Sequence, residues 1–153
     1  MNRIWIGILI IAAAGCGTLP DRKNADLSTG ETSIHKTEVE VLAKSGLSWD
    51  GARLPDYPQG HPEVTLLRIV IPAGETLAMH KHPVINAGVL LRGELTVRTE
   101  DGKTLHLRAG EALVEVVDTW HYGKNEGSED AEIIVFYAGV EGSPLSEYKP
   151  SEP

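Results

Sequence analysis

A chain of 153 residues with 22 acidic against 14 basic side chains, net charge −8, has room for one compact domain and little more. That balance leaves no basic patch, so nucleic acid and other polyanions are not expected partners. One cysteine in the whole chain excludes an intrachain disulfide.

The first residues do not belong to the domain. Arg3 supplies a short basic segment, and Ile4 to Ala14 form an apolar run of the length of a signal-peptide core, too short to span a bilayer as a helix. The run ends in Ala13-Ala14-Gly15-Cys16, which resembles the lipobox of bacterial lipoproteins, with Ala13 where leucine is preferred. The resemblance implies cleavage of residues 1–15 and a diacylglyceryl group on Cys16. Gly17 stands where an aspartate would favour inner-membrane retention, so the expected location is the periplasmic side of the envelope, lipid-anchored at the outer membrane. Residues 16–35 are polar, with almost no apolar periodicity, and read as a flexible tether.

From residue 36 the pattern turns to β, and residues 36–141 are assigned to one barrel. Thr37 to Ala43 is a short strand candidate. Ser48 to Pro62 carries Trp49, Tyr57, three prolines and two glycines and reads as an ordered loop. Val64 to Ile71 is a strong strand stopped by Pro72-Ala73-Gly74. Leu77 to His82, Ile85 to Leu91, Glu94 to Thr99, Thr104 to Arg108, Ala112 to Val117 and Ile133 to Ala138 follow at close spacing. Asp101-Gly102 is a hairpin signal of the type I′ kind, which needs positive φ at both central residues. Many short strands with regular turns point to an all-β sandwich or barrel. Residues 142–153, with three prolines, read as an irregular surface tail.

The chemistry is concentrated in His80-Lys81-His82. Side chains alternate along a strand with period two, so both imidazoles share a face and form two arms of a metal clamp. Around them stands Gly74-x5-His80-x-His82-x3-Asn86-x6-Gly93, then Gly110-x10-His121-x3-Asn125. This pair of blocks resembles the two conserved motifs of the cupin superfamily. The resemblance implies a double-stranded β-helical, jelly-roll-like barrel holding one divalent metal ion, with Fe, Mn, Ni, Zn and Cu all open. It places His80, His82 and His121 as ligands and puts Asn86, a candidate fourth ligand, where the family usually has glutamate. Val116 and Asp118 replace the usual proline and glycine of the second motif.

Without the glutamate, an ion on three neutral imidazoles keeps its full charge. It should bind less tightly but act as a stronger Lewis acid. Some three-histidine cupins are dioxygenases, so the family implies a dioxygenase or an isomerase acting on a small molecule, or else a non-catalytic ligand-binding lipoprotein. The family also implies a homodimer by exchange of residues 36–48, since an exposed sheet edge invites pairing.

Other residues are weaker candidates. Glu115, in Leu113-Val114-Glu115-Val116-Val117, could replace the missing carboxylate or serve as a general base, but the alternation favours an outward, solvent-facing position. Tyr122 is a second catalytic candidate. Trp120 is a candidate wall of the substrate cavity. His106 alternates with two leucines and should face water, as should Arg68 and Arg92.

Overall fold

The structure is a computed structural model that describes residues 36–150. The expected signal peptide and Cys16 tether lie outside the described residues. The described residues form nine strands and no helix. They are β1 (Pro62–Ile71), β2 (His80–Lys81), β3 (Ile85–Arg92), β4 (Glu94–Thr99), β5 (Thr104–Arg108), β6 (Ala112–Val114), β7 (His121–Lys124), β8 (Ala131–Val140) and β9 (Glu147–Tyr148).

Two antiparallel sheets result, in the orders β1-β8-β3-β6 and β5-β4-β7-β2-β9. The all-β expectation holds, and the strands face each other across one cavity. Alternation explains the layering. In β1, Leu67, Ile69 and Ile71 point inward while Leu66, Arg68 and Val70 point out. In β8, Ile133, Val135 and Tyr137 point inward. Leu90, Leu95, Val97, Leu107 and Leu113 complete the buried core. Each such side chain contributes roughly 1.5–3 kcal/mol by leaving water.

Two turns show what their residues permit. Gly93 sits at φ 75° where β3 hands over to β4, and a Cβ there would lie 2.9 Å from Ala131 Cα and Asp130 O. Only glycine tolerates both the left-handed backbone and that approach. The β4–β5 hairpin forms as expected, but its turn is not type I′. Gly102 alone has positive φ, at 91°, and Gly102 N donates to Thr99 O at 3.0 Å. That pattern is a type I turn followed by a left-handed glycine, the usual solution when the loop has an extra residue.

Two further expectations are corrected. Residues 37–43 form no strand; they are exposed, and Glu40 to Ala43 run along the outer face of the first sheet. Val39 and Val41 alternate as a strand would, but no neighbouring backbone pairs with them among the described residues. The C-terminal segment is not irregular throughout: β9, two residues long, pairs with β2, Lys149 N donates to Met79 O at 3.0 Å, and Leu145 packs on the core. Its prolines lie outside β9, so they cost it no ladder bond. The Ser48–Pro62 stretch is a loop as expected, with Trp49 packed on the core and an isolated bridge from Leu47 to Arg53.

Candidate metal centre

Strand pairing assembles the site. In the β2–β7 ladder His80 lies directly opposite His121, which closes the gap between the two sequence blocks. His82, two residues past His80, returns to the same side. Ring centroids are 4.9 Å apart for His80–His82, 4.5 Å for His80–His121 and 5.0 Å for His82–His121. One ligand atom from each ring falls within 4.8 Å of the others. Lys81, between the two histidines, turns away to pair with Asp118 at 3.3 Å and Glu147 at 3.2 Å.

Each imidazole is oriented by its Nδ1. His80 Nδ1 lies 2.7 Å from Ala78 O, His82 Nδ1 2.8 Å from Leu145 O and His121 Nδ1 2.8 Å from Thr119 O. A carbonyl can only accept, so each Nδ1 carries the proton and each Nε2 presents a lone pair. Such backbone contacts fix tautomer and ring angle in metal-binding histidines. Burial, the largest influence on each ring, pushes His82 down to about 4 and also lowers His80 and His121. All three are therefore neutral at pH 7. Three neutral nitrogen donors, convergent and preset, fit a divalent ion.

The triad lines a cavity of about 260 Å3 bounded by both sheets. Apolar side chains, among them Leu67, Ile69, Leu95, Val97 and Ile133, line it as well. Asn86, on β3, faces this cavity and is buried, with Nδ2 donating to Val84 O at 3.3 Å. Tyr137 packs edge-on against His82 at 5.4 Å, and burial pushes its phenol up to about 12.

Glu115 overturns its expected place. It is 7% exposed and lines the cavity, with Oε1 accepting from Trp49 Nε1 at 2.7 Å and Val116 N at 2.9 Å. The alternation itself was sound, since Glu115 shares a face with buried Leu113. The misreading lay in taking the other face for the apolar one, when this sheet is apolar on both sides: Val64, Leu66 and Phe136 cover its outside. Burial raises the Glu115 carboxyl, while its two hydrogen bonds and the nearby His80 act the other way. Its carboxylate lies outside the 4.8 Å ligand group.

Tyr122 and Trp120 do not reach the cavity. Tyr122 alternates with His121 on β7 and so points to the opposite face. Trp120 lies outside, under Lys81 Nζ at 5.6 Å from its ring centroid. His106 is exposed, bonded to Thr96 Oγ1 at 3.0 Å, and Arg68 is exposed, paired with Glu132 at 2.7 Å. Arg92 is exposed as well.

The motif's other members hold the frame. Asn125 is fully buried, with Nδ2 donating to Ile71 O at 2.9 Å and Glu129 O at 2.7 Å and Oδ1 accepting from Gly127 N at 3.0 Å. Asp118, in place of the usual glycine, adopts φ 52°, and its N–H donates to His82 O at 2.9 Å. Aspartate is one of the few residues that enter this region readily. Sequence reasoning missed Tyr137, Leu145, Ser146 and Tyr148. Tyr137 shares the inward period of Ile133 and Val135 and could have been found. Ser146 Oγ, 3.1 Å from His82 Nδ1, and Tyr148, 6.0 Å from His80, come from the tail and carry no local signal.

The comparisons agree with this architecture. The family model described as a cupin domain matches residues 67–137. No curated protein matches the sequence. Among solved structures, crystal structures of DMSP lyases are 11% identical over 57% of this chain and 44% of theirs, with TM-score 0.50. An oxalate oxidase in complex with the substrate analogue glycolate is 25% identical, with TM-score 0.48; 56% of this chain is covered, and the chain spans 45% of that protein. An uncharacterized protein with a double-stranded beta-helix domain from Klebsiella pneumoniae is 19% identical over 61% of this chain and 89% of its own, with TM-score 0.48. Residues 67–137, which match the cupin-domain model, hold the histidine triad and most of the strands of the two facing sheets.

Proposed function

We propose that His80, His82 and His121 hold one divalent metal ion and that the cavity beside it binds and transforms a small organic molecule, as a dioxygenase or an isomerase. The observation that carries this is the set of three Nε2 lone pairs, each preset by a carbonyl on Nδ1. Three imidazoles suit zinc, copper, iron and nickel, and leave coordination positions for a substrate. When bound, the ion supplies Lewis acidity, or dioxygen chemistry if it is iron. Asn86 offers a neutral fourth donor.

The chain's own residues do the rest. The apolar wall excludes water and strengthens every polar contact inside. Glu115, anchored by Trp49, is the one carboxylate in the lining and the side chain placed to hold a substrate proton. Tyr137, its phenol pushed up to about 12 by burial, keeps its proton at neutral pH and can offer a hydrogen bond to a substrate oxygen. Elemental analysis of the native protein and of His82→Ala is the test. About one equivalent in the first and none in the second supports the proposal; negligible metal in both refutes it.

The location proposed for this activity is the periplasmic face of the envelope, supported by the apolar run before Cys16. Palmitate labelling that requires Cys16 would support it, and an unmodified thiol on a soluble chain would refute it. A homodimer is supported by the outer face of the first sheet, where Val64, Leu66, Val70 and Phe136 are 42–64% exposed beside the unpaired edge of β1. Sedimentation that gives a dimer for the wild type and a monomer for Leu66→Lys would support it.

A further inference from the structure

The cavity contains no cation. Neither lysine nor arginine is among its lining residues; Lys81, between two triad histidines, turns toward Asp118 and Glu147, and Arg68, between two lining residues of β1, toward Glu132. Nothing supplied by the protein beyond the metal would neutralise a substrate carboxylate. Burying an unpaired anion against apolar walls is costly.

The lining does contain one unused acceptor. Both hydrogen bonds to Glu115, from Trp49 Nε1 and from Val116 N, end on Oε1. Oε2 accepts none among the described residues, although Glu115 as a residue is almost wholly buried. Nor is Oε2 among the sealed side-chain atoms that lack a partner, so it opens onto the cavity that Glu115 lines. A carboxylate with one oxygen clamped and the other free in the cavity is held ready for a donor brought by a ligand.

We infer that Glu115 Oε2 is the ligand-recognising acceptor of this cavity, selecting small uncharged or cationic molecules that pair an apolar body with a hydroxyl or amine N–H, and rejecting carboxylates. The inference rests on the proposed use of the cavity as a substrate site and names its substrate class. The apolar body lies against Leu67, Ile69, Leu95 and Val97, and the donor reaches Glu115. The volume of about 260 Å3 lies below the usual range for drug-sized ligands, so the molecule has a single small ring or a short chain.

Three probes with one body separate the possibilities: cyclohexylamine, cyclohexanol and cyclohexanecarboxylate, titrated into the full chain with and without zinc. Binding is followed by calorimetry and by the indole N–H resonance of Trp49, assigned with Trp49→Phe. In the metal-free protein the amine and the alcohol bind at least about tenfold more tightly than the carboxylate, and the Trp49 resonance shifts as they do so. Glu115→Gln abolishes the preference for the amine. A carboxylate that binds metal-free wild type as well as the amine overturns the inference, as does a preference unchanged in Glu115→Gln. Failure of every probe to bind at millimolar concentration overturns it too. The wild-type ratios and the Trp49 shift need no variant, so they decide the matter even if Glu115→Gln does not fold. Metal content is measured separately, so failure of the histidine triad to hold metal is distinguishable from failure here.

Discussion

Lowering the pH of the metal-free protein from 7 to 4.5 should destabilise it mainly through the histidine triad. The ordinary imidazole value is 6.5, and burial holds His82 at about 4 in the folded state. Between those values the unfolded chain takes up a proton that the folded chain refuses. Stability therefore rises with pH across this window and is lost as the pH falls. One unit is worth about 1.4 kcal/mol, so from pH 6.5 to 4.5 His82 alone removes about 2 kcal/mol. His80 and His121 are lowered for the same reason and act with the same sign. Glu115 opposes them. Its raised folded value means that the folded state keeps a proton the unfolded state has released, so its burial costs stability as the pH rises. The structurally anchored Asp50, held at about 2, releases its contribution only below 3.8, outside this range.

Urea unfolding of chelator-treated protein at half-unit steps of pH measures the slope. His82→Gln keeps an amide able to donate to Leu145 O but does not titrate, so its slope should be shallower by roughly 1 kcal/mol per pH unit. Glu115→Gln should be steeper than wild type, because the opposing group is gone. Parallel slopes for wild type and His82→Gln would refute the claim that a buried, neutral His82 dominates the acid response.

Three further outcomes follow from particular contacts. Because burial lowers all three imidazoles, His82 to about 4, zinc affinity should fall less between pH 7 and 6 in a chelator competition than that of a peptide with three exposed histidines. Gly93→Ala should cost about 2 kcal/mol or more in thermal or urea unfolding, since its Cβ would meet backbone at 2.9 Å; Gly102→Ala, at φ 91° in open space, should cost only about 1 kcal/mol. Asn125→Ala should cost about 2–4 kcal/mol by stranding Ile71 O, Glu129 O and Gly127 N, yet leave metal stoichiometry of the folded fraction unchanged.

The sequence was most readable where one side of a strand was apolar and the other polar. Glu94 to Thr99 and Thr104 to Arg108 have the same bounds in the structure as in the pattern, joined by the expected hairpin. Two histidines with one residue between them announced a shared face. Their convergence with His121, far along the chain, depended on a β2–β7 pairing that no local pattern encodes. His121–Lys124 is too short and too polar to announce a strand; only its partners make it one. The tail was unreadable for the same reason. Leu145 O and β9 matter through contacts with His82 and β2, which lie over sixty residues away.

Glu115 and Asn86 resolve the apparent gap in the first histidine motif. Asn86 on β3 carries no charge, and Glu115, the residue after β6, lines the same cavity, its N–H donating to Asn86 O at 3.0 Å. The Glu115 carboxylate lies outside the ligand group yet acts electrostatically on His80. A divalent ion on the three imidazoles would thus be partly offset by an ionised Glu115 without that carboxylate filling a coordination position. Trp49 Nε1 and Val116 N both hold Oε1, so a move of the Glu115 carboxylate that withdraws Oε1 breaks these two hydrogen bonds. The chain keeps the counter-charge and frees it to meet a ligand.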